Sequence, residues 1–148
     1  MHHHLKLVRD FHDALGIPQA AFGQTIPLSD DEIILRQALL FACASETFNG
    51  LAADEPSKIQ SGLVDLAFNA LAAIANSGDN VITVSSKWRQ DGSSLTVVRL
   101  LTEKIQQCAS GDTLHYSALY QLCTQLVENL LQTDFDRALQ KLQQQLIA

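Results

Sequence analysis

Two carboxylates stand alone inside long apolar stretches of this chain. Glu46 lies in SDDEIILRQALLFACASETFNG and Asp65 in DEPSKIQSGLVDLAFNALAAIANSG, and neither stretch needs its acid in order to fold. A hard divalent cation such as magnesium takes six oxygens and commonly only one or two carboxylates, with water and substrate phosphate supplying the rest. Glu46 and Asp65 are therefore candidate magnesium ligands if their helices bring them together. Ser61 and Asn69 lie one helical turn before and after Asp65, on the same face, where they could read a sugar or base or simply fill an antiparallel helix interface. Lys87 could offer charge to a phosphate and Trp88 a ring to a base; a surface lysine beside a packed tryptophan is the plainer reading of that pair. The competing account of the acids themselves is structural, with Glu46 and Asp65 satisfied by Arg36, Lys58, an amide or water, since buried acids are usually paired.

The elements that must position these groups are helices. Ser29-x-x-Glu32 is a capping box, in which the serine oxygen accepts from the Glu32 amide, and it sets the start of the first stretch. Gly50 is expected to end that helix as a C-cap. The second helix enters through Asp54, Glu55 and Pro56, which suit a first turn, and closes at Asn76, Ser77 and Gly78. A short loop between two long helices predicts an antiparallel hairpin over 29–77. The first of these helices has almost no polar face. We therefore expect an all-α fold in which the hairpin sits at the centre of a four-helix bundle, completed by the same hairpin of a second subunit as a homodimer.

Elsewhere the pattern is also helical. Leu7, Val8, Phe11 and Leu15 form a stripe over 5–15, and IPQAAFGQTIPL follows as an ordered arm rather than a free linker. Within 79–93, VITVSSKW alternates like a strand and Asp91-Gly92 could turn a hairpin, so that segment stays open between hairpin, loop and short helix. Leu95, Val98, Leu101, Ile105 and Cys108 predict a helix over 94–107, and further helices follow over 114–131 and from Phe135 to the end.

Composition bounds the function classes. The 148 residues are 47% hydrophobic and 18% charged, which fits one globular domain, 1–148, with no run long enough to span a bilayer. A net charge of −6 without any lysine or arginine cluster argues against nucleic acid as a partner. The three cysteines, Cys43, Cys108 and Cys123, have no metal-ligand spacing and read as reduced core thiols. The expected compartment is the cytoplasm. The run His2 to His4 has the composition of a metal-binding tract, of a tag remnant or of a frayed chain start, and is given no function. His12 and His115 accompany no recognisable nucleophile, and no glycine-rich phosphate loop is present.

The segments LRQALLFACASETF and SGLVDLAFNALAAIA, preceded by VRDFHDALGIP, resemble the two-helix core of MazG-like nucleotide pyrophosphohydrolases, the all-α superfamily that includes phosphoribosyl-ATP pyrophosphohydrolases. The similarity covers about Leu7 to Ile74 (5–77 as a family-like core, 94–148 as additional C-terminal helices), with a faint echo at Ser85 to Lys87. In that family EExxE on one helix and ExxD on the next hold magnesium against a nucleotide's phosphates while water attacks. Laid on that motif, the acids fall on Ala42, Cys43, Glu46, Gly62 and Asp65, so two of five positions are acidic here. The resemblance implies a nucleotide-binding hydrolase whose magnesium-dependent activity is weak or lost; the alternative is a non-catalytic helical dimer with a structural, interaction or regulatory role.

Overall fold

A computed structural model describes residues 1–84 and 93–147. Among these residues it is all-helical: α1 (His3–Ala14), α2 (Asp30–Ala53), α3 (Pro56–Ser77), α4 (Ser94–Gln107), α5 (Thr113–Gln125) and α6 (Phe135–Ile147). A single 3₁₀ turn, Cys108–Ser110, joins α4 to α5, and a π-helical turn, Leu126–Leu130, extends α5. No described helix is long and apolar enough to cross a membrane. The open reading of 79–93 falls in part outside the described residues, at 85–92. Within it, Val81 to Val84 is irregular and runs along α5, where Ser117 Oγ accepts from the Ile82 amide and Gln121 accepts from Val84 and donates to the Ile82 carbonyl. Side chains of a helix thus satisfy backbone that alternates like a strand.

The axis of the fold is α3. Leu63, Leu66, Ala67, Ala70, Leu71, Ala73, Ile74 and Ala75 are fully buried, and α1, α2, α5 and α6 all pack on this helix. Its many alanines let neighbouring backbones approach from several sides at once. α2 lies at the edge of the assembly, against α3 and α4, and leaves Ile34, Leu35, Leu39 and Phe41 exposed.

The α2 to α3 hairpin is antiparallel, with facing positions running in opposite senses: Gly50 against Ile59, Thr47 against Gly62 and Cys43 against Asn69. Ser29 caps α2, its Oγ accepting from the Glu32 amide at 3.2 Å. The end of α2 corrects the expectation for Gly50. The helix continues to Ala53, and Asp54 takes the left-handed C-cap position at φ 54°. Gly50 is instead buried at the helix crossing, where a β-carbon would come within 2.9 Å of the Ile59 amide nitrogen. A small residue was read as a stop when it marks a close approach.

The arm between α1 and α2 is tied to the end of α3. Gly23 and Ile26 donate backbone N–H to the Gly78 and Ser77 carbonyls at 2.9 and 2.8 Å, and Thr25 donates to Asp79 at 2.6 Å. Gly78 must be glycine twice over: its φ is +77°, and a β-carbon would lie 2.5 Å from the Gln24 carbonyl oxygen. Buried Arg9 completes the join, donating to the carbonyls of Ala75 at 3.1 Å and Ala20 at 2.8 Å. A guanidinium there complements the negative end of the α3 dipole.

Candidate functional site

Glu46 and Asp65 face one another across the hairpin. Asp65 is half-buried, and its carboxyl is pushed up from 3.8 to about 6, first by burial and then by the charge of Glu46. Cys43, one turn before Glu46, feels both acids. Burial, then Asp65 and Glu46, push its thiol up to about 12. Asn69 joins the group: its Nδ2 lies 3.7 Å from Cys43 Sγ and donates to the Asp65 backbone carbonyl at 2.9 Å. The sequence predicts that Glu46 and Asp65 approach each other with Ala42, Cys43, Ser61, Gly62 and Asn69 lining the same cleft; of these, Cys43 and Asn69 are in contact beside the acids, and helical spacing is the reason. Positions 43 and 46 share one face of α2, while 65 and 69 share one face of α3.

Among the described residues no hydrogen bond or ion pair joins a cation or amide to either carboxylate. Arg36 and Lys58 do not take the partner role considered for them. Arg36 is half-buried on α2 near Glu32 and Tyr116, and burial lowers its pKa; Lys58 is exposed at the start of α3. Among the described residues the pair is brought together by helix packing and not by a neutralising side chain.

The empty motif positions behave differently from one another. Ala42 is exposed. Cys43 stays protonated at neutral pH, so its sulfur is a poor ligand for a hard cation. Gly62 was expected to line the cleft, and the structure corrects this: it is buried against Thr47, where a β-carbon would sit 2.1 Å from Oγ1 and 2.9 Å from the backbone nitrogen. Thr47 Oγ1 donates to the Cys43 carbonyl at 2.9 Å, which holds it in that contact. Position 62 therefore brings the two helices together and has no room for a carboxylate.

Ser61 is exposed and lines a cavity of about 160 Å³ that it shares with Ser57, Gln60, Lys141 and Leu142. Gln60 and Lys141 also line an adjoining cavity with Arg137. Sequence reading missed these two cations, although Arg137 and Lys141 are spaced i, i+4 and α6 is strongly amphipathic, which places both on one face. Lys87 and Trp88 lie outside the described residues. His12 is buried and its Nδ1 pairs with Gln19 Oε1 at 3.1 Å; His115 pairs with Ser110 at 2.6 Å, so both have local structural partners. No family model matches the chain, and neither the curated proteins nor the solved structures contain a match to it.

Proposed function

We propose that this chain is a MazG-like protein that binds a nucleotide or related phosphate beside one magnesium ion, with weak or lost pyrophosphohydrolase activity. The observation that carries this reading is the convergence of Glu46 and Asp65 with no side-chain cation between them among the described residues, close enough that one carboxylate raises the pKa of the other. Two like charges so placed repel, and a divalent cation would turn that repulsion into attraction. Two carboxylates suit a single magnesium that keeps water and phosphate as its other ligands. When bound, such an ion would supply charge neutralisation and a template for phosphate oxygens. A multi-metal site does not fit, because Cys43 and Gly62 offer no carboxylate and Gly62 cannot be given one without parting the helices. Asn69 would orient the ligand's base or sugar from the same face as Asp65.

The test is thermal unfolding with magnesium and a panel of nucleotides, since a ligand that binds only the native state must stabilise it. The reading requires a rise in melting temperature that needs magnesium and is lost in Asp65→Asn. No shift with any member of the panel would overturn it.

A second reading is favoured by a different observation, the exposed apolar row Ile34, Leu35, Leu39 and Phe41 on α2. Such a row marks an interface, and here it supports a homodimer built on α2 with an interaction or regulatory role. The acidic pair would then be a structural remnant. Sedimentation separates the readings: a dimer without magnesium or nucleotide binding supports the second, and binding supports the first whatever the oligomeric state.

A further inference from the structure

A second cluster of metal-ligating side chains lies at the opposite end of the molecule's chemistry, where the first turn of α1 meets the first turn of α6. His2, His3 and His4 each offer a ring nitrogen, and these three atoms lie within 4.8 Å of one another. His3 Nε2 is 3.4 Å from Asp136 Oδ1, and His4 Nε2 is in hydrogen-bond contact with the same oxygen. Four tetrahedral ligands around zinc, each about 2.0–2.1 Å from the ion, stand roughly 3.3 Å apart. The His3 to Asp136 separation already matches such an edge.

The surroundings suit a site rather than a chance stack of rings. His4 is 5% exposed and T-packed on Phe135 with centroids 4.9 Å apart, so it cannot swing away. Its Nδ1 is in contact with the Tyr120 hydroxyl, leaving Nε2 aimed at Asp136. A ligating histidine is commonly oriented by such a bond through its other nitrogen. His2 uses Nδ1 to accept the His4 amide at 3.2 Å and so turns Nε2 outward. A cavity of about 390 Å³ lined by the three histidines, Tyr120 and Glu128 opens beside them, with space for a solvent ligand.

We propose that His2, His3, His4 and Asp136 bind a transition-metal dication of the zinc class, clipping α1 to α6. Imidazole nitrogens with one carboxylate select zinc, cobalt, nickel or copper over magnesium or calcium, whose preferred ligands are oxygens. The clip is independent of the Glu46 and Asp65 pair. It joins residues far apart in the chain, so an ion here stabilises the folded state and leaves the unfolded chain with only a weak histidine tract.

The experiment is titration of the chelator-stripped full chain with zinc chloride alone, followed by calorimetry and thermal unfolding, and with cobalt chloride followed by visible absorption. One zinc per chain, a raised melting temperature and the intense visible bands of four-coordinate cobalt are expected. The exposed variants Asp136→Asn and His3→Gln, checked for fold by circular dichroism, should each weaken zinc binding at least about tenfold and abolish the melting shift, while His115→Gln changes neither. Zinc affinity unchanged by Asp136→Asn, or binding that leaves the melting temperature where it was, would mean a flexible histidine tract that captures metal on its own and would overturn the proposal.

Discussion

Removing the charge of Asp65 should stabilise this protein above pH 6 and do little below pH 4. In the folded chain the carboxyl is pushed up from 3.8 to about 6 by burial and by Glu46. Between those values the folded state holds a proton that the unfolded state has already released. Stability must therefore fall as pH rises from about 4 to about 6, and stay lowered above that window. A difference of about two pH units corresponds at full strength to roughly 3 kcal/mol. Asp65 is only half-buried, and solvent screening reduces this to about 1–2 kcal/mol. For a chain of this size that is roughly 2–8 °C in melting temperature. Urea and thermal unfolding of wild type and Asp65→Asn at half-unit pH steps from 3.5 to 8, as test conditions of about this spacing, should show two curves that coincide in acid and separate across the window. Glu46→Gln should give a smaller gap of the same sign, because it removes only the second cause. Curves that stay parallel from pH 4 to 8 would show that Asp65 is not held by its neighbour in the way described, and the candidate site would lose its carrying observation.

Gly62→Ala should destabilise the fold by about 1–3 kcal/mol in urea unfolding, because its β-carbon meets the side chain and backbone of Thr47. Arg9→Ala should cost about 1–3 kcal/mol, read by the same method, because it removes two charge-assisted bonds from a buried guanidinium and leaves the Ala20 carbonyl without its donor. The unmodified chain should release little or no pyrophosphate from common nucleoside triphosphates in magnesium; robust turnover abolished by Glu46→Gln would show that two carboxylates suffice. Phe41→Glu should convert a sedimenting dimer to monomer with little change in helix content, since Phe41 is 53% exposed in the single chain and its loss opens no cavity.

The helices were legible because their signals are local. Ser29 and Gly78 sit where caps must sit, and the three- and four-residue spacing from Leu95 to Ile105 is that of α4. The meeting of Glu46 and Asp65 was legible as well, given one antiparallel hairpin, because helical spacing leaves few faces to choose from. What escaped the sequence depends on distant neighbours. Gly50 and Gly62 looked like a stop and a vacancy, and both are contact points between helices that only the packed pair reveals. The three histidines looked like a loose end, yet His4 is buried through Tyr120, Phe135 and Asp136, which lie more than a hundred residues away. No window of sequence contains that pairing.

The contact at Gly62 also bears on what the acidic pair can be. A helix interface that closes through a glycine against Thr47 gains dispersion and excludes water, and it does so at the position where the MazG-like motif would carry a carboxylate. Ligand capacity and close packing compete for the same few cubic ångströms. Here packing holds position 62, burial keeps Cys43 neutral, and the two remaining acids sit at the half-exposed margin where water can reach them. Such a margin tolerates a carboxylate pair without requiring it, so Glu46 and Asp65 would contribute nothing to stability if they served no ligand. The charge of Asp65 is instead an unfavourable term above pH 6, and a bound cation would reverse its sign. The pH dependence of Asp65 measured with and without magnesium therefore reports on structure and function in one experiment: binding must pull the carboxyl pKa down and close the gap to Asp65→Asn.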